Sequence, residues 1–192
     1  MRASIEHAPL HIYSQSFVSR FRRWHFIGHL QSNKCKQLVG ACPNLYVVET
    51  VDSAKLARKL NAACTAVARA TPLNIMIQVN TSGEESKSGL TPLLSAADAT
   101  DAPLADVVRV VLTECPNLRL FGLMTIGRYG DTTAECFEAL IASRDAIAPI
   151  VAEISGSEVP LELSMGMSGD MELAVLQGST SVRVGSAIFG AR

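Results

Sequence analysis

Apolar residues along this chain fall into short unbroken runs separated by stretches of helical spacing. Trp24-His25-Phe26-Ile27-Gly28, Leu45 to Glu49, Asn74 to Val79 and Leu118 to Leu123 read as strands. The third is almost wholly apolar, as a strand buried on both faces of a parallel sheet should be. Between them lie helical patterns. One runs from Ser32 or Asn33 to Gly40; a longer one is capped by Asp52 or Ser53 and presents Leu56, Leu60, Ala63, Cys64 and Val67 on one face. Pro103 suits the first position of a helix carrying Val107, Val108, Val111 and Leu112. The next helix is predicted from about Thr132 to Ala148, with Phe137, Leu140, Ile141 and Ile147 facing inward and Pro149 closing it.

Two further strands follow, each running into a Ser/Gly turn that opens a helical segment. Leu161-Glu162-Leu163 leads into Ser164-Met165-Gly166-Met167-Ser168-Gly169-Asp170, and Ser181-Val182-Arg183-Val184 leads into Gly185-Ser186. Six strands therefore alternate with five helices, the pattern of a parallel sheet wrapped by helices, with function at the strands' C-terminal ends. Periodicity does not choose between an open doubly wound sheet and a barrel. The two nucleotide signatures of open sheets, GxGxxG after a strand and GxxxxGK[ST], are missing.

If the last two strands are parallel neighbours, their turns bring hydroxyls and backbone N–H groups to one point, an arrangement suited to a phosphate. Arg183 alternates out of step with Val182 and Val184, and so leaves the apolar side of its strand. The plainer reading is that each turn is only a helix cap. His25 and His29 straddle a strand end, which disfavours a shared metal; His25 reads as structural, while His29, at the turn, is placed to reach a site. The polar loop Asn80 to Gly89 leaves the third strand and is long enough to be functional or simply solvated.

Composition narrows the field. With 48% hydrophobic residues in 192, the chain can bury one sizeable core. A formal net charge of −1, with no basic stripe beyond the N-terminus, argues against nucleic acid as a partner. Five scattered cysteines without a CxxC point to reduced thiols in a cytosol-like compartment, and no apolar run approaches the length of a membrane span. Residues 1–23 form an atypical segment: Arg2, Arg20, Arg22, Arg23 and four serines against one acid, Glu6, match a mitochondrial transit peptide, while a shortened piece of the domain is the alternative.

The pieces WHFIGHLQSNK (24–34), VDSAKLARKLN (52–61), QVNTSGEESKSGL (78–90), GLMTIG (122–127), LSMGMSGD (163–170) and VRVGSAIFGAR (182–192) resemble, in order, the single-domain pyridoxal-phosphate homeostasis proteins, the YggS/PROSC family. That resemblance covers residues 24–192. It implies one (β/α) TIM-type barrel domain of the alanine racemase N-terminal type, binding pyridoxal 5′-phosphate (PLP) at the mouth of the strands, in a protein that buffers or delivers PLP and is not an efficient enzyme. By position, it implies that Ser164, Gly185 and Ser186 hold the phosphate, that Met165 and Ser168 line the same pocket, and that Arg183 faces the pyridine nitrogen.

The match is incomplete. Family members begin with a strand ending in the lysine that joins PLP covalently, followed by a strand with an FGENY-like motif. Neither corresponds to anything here: the five lysines, 34, 36, 55, 59 and 87, lie elsewhere. Glu6-His7-Ala8-Pro9-Leu10 resembles the helix that precedes the family's third strand. The expectation is thus an incomplete barrel, six of eight βα units, binding PLP without a covalent bond; a racemase-like enzyme and a non-binding remnant are the alternatives.

Overall fold

The computed structural model describes residues 23–190 apart from 129, 131 and 132. The segment 1–22, with its transit-peptide reading and the Glu6–Leu10 match, lies outside the described residues. Six strands form one parallel sheet in sequential order: β1 (Trp24–Phe26), β2 (Leu45–Val51), β3 (Leu73–Gln78), β4 (Leu118–Met124), β5 (Glu162–Met167) and β6 (Ser181–Arg183). Sequential order without a reversal is that of a barrel wall, not of a doubly wound sheet. The sheet curls into part of a barrel, and among the described residues β1 and β6 are its two edges.

The helices between the strands are α1 (Cys35–Ala41), α2 (Ala54–Ala66), α3 (Pro103–Glu114), α4 (Glu135–Ser155) and α5 (Met171–Leu176); a terminal turn of helix, α6 (Ser186–Phe189), follows β6. Ser53 is the N-cap of α2, its Oγ accepting from Leu56 N at 3.3 Å. Leu56, Leu60, Ala63 and Cys64 are buried as the spacing predicts, but Val67 falls on the C-cap, where the helix has ended, and is exposed. Pro103 is in the first turn of α3.

Two sequence expectations are corrected. Pro149 does not close its helix: α4 runs on to Ser155 and stops at Gly156, whose φ of 71° is left-handed. Proline removes one N–H, here on an exposed face where water can take the orphaned carbonyl, while Ile147 and Val151 continue the buried stripe. Ser164 to Met167 is not a turn but the body of β5. Gly166 permits this. Its φ is +95°, and a Cβ there would lie 2.5 Å from the Cβ of Ala174, so α5 packs directly on the strand.

Alternation along the strands separates two apolar clusters. Ile75, Ile77, Leu123, Leu163 and Met165 join Leu60, Val108, Leu140 and Ile147 in the large core between sheet and helices. Val47, Met76 and Met124 form a small cluster apart from it, flanked by Tyr46 and Phe121. Among the described residues, no helix is long and apolar enough to cross a membrane.

Candidate functional site

A cavity of about 880 Å³ opens at the C-terminal ends of the strands: β1 contributes His25, β2 Glu49, and β6 Ser181, Val182 and Arg183. Met167, Ser168, Gly169 and Asp170 line it from the end of β5, and Gly185 and Ser186 from the turn after β6. Its size falls within the usual range for a small-molecule site.

The two Ser/Gly turns do meet. Ser168 Oγ accepts from the backbone N–H groups of Gly185 at 3.0 Å and Ala187 at 3.3 Å. Two N–H donors converging on one oxygen is also the geometry that binds a phosphate oxygen. Beside them the space is open, since a Cβ added to Gly169 or Gly185 would meet nothing within 4 Å. Asp170 shapes the first turn by accepting from Met167 N at 2.5 Å.

Arg183 occupies the inner wall. Its Nη1 donates to Ser164 Oγ at 2.9 Å and its Nη2 to the Thr125 carbonyl at 2.7 Å. Burial lowers its basicity, and the Glu49 and Asp170 carboxylates act in the opposite sense. Ser164 donates in turn to Glu49 Oε2 at 2.6 Å, and Glu49 Oε1 lies 2.6 Å from His25 Nδ1. Glu49 and Ser164 are buried, whereas the His25 side chain is 35% exposed. A carboxylate so far from water requires these partners.

The alanine racemase N-terminal domain model matches residues 26–192. The chain belongs to that family. Its curated relatives include the human pyridoxal phosphate homeostasis protein, 44% identical over 174 residues that cover 88% of this chain and 58% of the human protein. The Schizosaccharomyces pombe protein of the same name is 41% identical over 190 residues, covering 94% and 72%. The chain thus spans about 58% of the human relative's length. Among solved structures, PipY of Synechococcus elongatus with PLP bound has a TM-score of 0.65 at 28% identity, covering 92% of this chain and 75% of PipY. Alanine racemase of Clostridium difficile, at 12% identity and a TM-score of 0.59 over 88% of this chain and 40% of the racemase, shares the fold.

As a member of the alanine racemase N-terminal domain family, the chain distributes the sequence-predicted residues unevenly. Ser168, Arg183, Gly185 and Ser186 line the cavity together. Ser164 lies behind Arg183, its hydroxyl committed to Arg183 and Glu49. Met165 does not reach the cavity: with Ser164 facing inward on β5, Met165 faces the helices and is fully buried in the large core. His29 lies elsewhere too. Gly28, with a φ of 128°, turns the chain out of β1 toward α1, and His29 lines a separate cavity of about 480 Å³ with Lys34, Gln37 and Leu38.

Sequence reasoning missed Glu49 and gave His25 no role in the site. The signal for Glu49 was present: a single carboxylate inside the run Leu45-Tyr46-Val47-Val48-Glu49-Thr50-Val51, which is otherwise fit for burial. Nothing in the sequence pointed to its pairing with His25. Among the described residues, no group of three His, Cys, Asp or Glu side chains could hold a metal ion.

Proposed function

We propose that the chain binds pyridoxal 5′-phosphate in the cavity between β6 and β1 and takes part in intracellular PLP homeostasis. The observation that carries this reading is the convergence of the Gly185 and Ala187 N–H groups on Ser168 Oγ within hydrogen-bonding distance. The names of the human and fission yeast relatives and the PLP bound by PipY support it.

The residues present fit the cofactor at both ends. Ser168 and Ser186 offer hydroxyls, and Gly169 and Gly185 leave room for a phosphate against the backbone. Arg183, with two of its five N–H donors engaged by Ser164 and Thr125, keeps others for the pyridine nitrogen. PLP supplies an aldehyde and a pyridine ring that draws electrons when its nitrogen is protonated. A guanidinium at that nitrogen only donates, and so disfavours the protonated ring. Such a ring is a weak electron sink, which favours storage or delivery over turnover.

Covalent attachment does not fit the described residues. No lysine among them lines the cavity; Lys34 lines the other one, and Lys87 donates to the Gly127 carbonyl and pairs with Glu84. This supports a reading in which PLP binds reversibly, without a Schiff base to Lys34 or Lys36. A cytosol-like compartment suits the five cysteines, none of which forms a disulfide.

Titration of the purified chain with PLP, followed by its absorbance and by equilibrium dialysis, tests the proposal. Saturable binding at one site that is competed by inorganic phosphate is expected. No binding at millimolar PLP would leave the non-binding alternative standing.

A further inference from the structure

Arg183 is held by a chain of side chains that reaches back across the sheet to the opposite edge. Its direction is fixed by the chemistry of its members. A guanidinium has only donors, so Ser164 Oγ accepts from Arg183 at 2.9 Å; a hydroxyl has one proton, and it goes to Glu49 Oε2 at 2.6 Å. A carboxylate has only acceptors, so the remaining contact, 2.6 Å from Glu49 Oε1, takes a proton from His25 Nδ1. His25 sits on β1 and Arg183 on β6, the two edges of the sheet, with Glu49 on β2 and Ser164 on β5 between them.

Of these four, Glu49 and Ser164 are buried, Glu49 with only an edge on the cavity wall, and His25 and Arg183 are the two ends of the chain of side chains, both lining the cavity. The imidazole also packs against Tyr46, with ring centroids 5.5 Å apart. A relay with two buried middle members transmits a change at one end as a change in hydrogen bonding at the other, because neither middle group has water to turn to.

We propose that His25 is a positioning residue, which acts through Glu49 and Ser164 to fix the Arg183 guanidinium where it meets the ring of the bound ligand. The inference rests on the reading of this cavity as a PLP site. It differs from a purely structural role for the buried pair, in which loss of His25 would loosen the strands without regard to Ser164.

The test compares PLP affinity of the full chain in four forms: unchanged, His25→Leu, Ser164→Ala and the double substitution. His25→Leu is expected to weaken binding about tenfold when Ser164 is present and less than about twofold once Ser164→Ala has cut the relay. An equal loss in both backgrounds overturns the proposal. Two gentler variants carry the same test if His25→Leu does not fold. Asparagine places its amide near the imidazole Nδ1 position and glutamine near Nε2, so His25→Asn should retain affinity and His25→Gln should lose it. The reverse order, or no difference, overturns the relay.

A measurement without ligand separates this inference from the function it rests on. The Arg183 guanidinium N–H resonances should be resolved and slow to exchange in the unchanged chain, and averaged in both His25→Leu and Ser164→Ala. If the chain fails to bind PLP, the functional reading falls while this measurement still decides the relay. Arg183 resonances indifferent to His25→Leu would end it even where PLP binds.

Discussion

Glu49 and Ser164 stand 115 residues apart in the chain, and their side chains meet at 2.6 Å inside the sheet. The contact joins the first half of the fold to the second at the floor of the cavity. Neither side chain is exposed, so neither has water as an alternative partner.

Stability should register that contact directly. Ser164→Ala leaves one oxygen of a buried carboxylate and one arginine N–H unpaired, which should cost about 2–3 kcal/mol. Urea denaturation with a lowered midpoint and an unchanged slope checks this. A loss below about 0.5 kcal/mol would mean that water replaces the hydroxyl.

Two glycines should respond very differently to alanine. A Cβ at Gly122 would lie 1.9 Å from the Glu162 carbonyl oxygen, which is backbone and cannot swing aside. Gly122→Ala should therefore separate β4 from β5 and destabilise the fold by more than about 4 kcal/mol. Gly169→Ala meets nothing within 4 Å and should leave stability within about 0.5 kcal/mol. Thermal unfolding of the two proteins side by side is the measurement.

Phosphate binding should depend on the two serines of the turns. Ser186→Ala should weaken PLP binding by about 1–3 kcal/mol through loss of a charge-assisted hydrogen bond. Ser168→Ala should weaken it at least as much, because the same hydroxyl also ties down Gly185 and Ala187. Unchanged affinity in a PLP titration would remove the substituted serine from the site.

Borohydride reduction of the chain in the presence of PLP, followed by peptide mapping, should find no stoichiometric pyridoxyl group on Lys34 or Lys36. Lys34 lines the cavity beside α1, away from Arg183, and Lys36 is exposed on α1. A full adduct on either lysine would restore covalent binding.

Alkaline pH should weaken the fold through its thiols. Burial raises the pKa of Cys35, Cys64 and Cys115 above the ordinary value of 9.0. The folded thiols keep protons that the unfolded chain has released, so their stabilisation is complete below 9.0 and is lost as pH climbs through the raised values. Each can contribute at most about 1.4 kcal/mol per pH unit in that window. Denaturation curves on both sides of pH 9.0 should show the decline, with a smaller slope in Cys115→Ala.

The six strands and most of the helices were legible in the chain alone, because local periodicity encodes which face of each element is buried, whereas the sequential barrel order was implied only by the family resemblance. The sequence also marked Ser168, Arg183, Gly185 and Ser186, since a turn after a strand must lie at the strand ends. Tertiary structure decided the rest. Pro149 stays inside α4 because packing of Ile147 and Val151 outweighs one lost hydrogen bond, and Met165 turns away from the cavity because β5 extends through it to Met167. Whether Glu49 is a liability or a tether depended on which side chains the curled sheet brought to it. His25 and Ser164 come from strands β1 and β5, and only the curl of the sheet sets them within 2.6 Å of one carboxylate. Local sequence patterns specify burial, but pairing between distant buried polar groups is a property of the folded geometry alone.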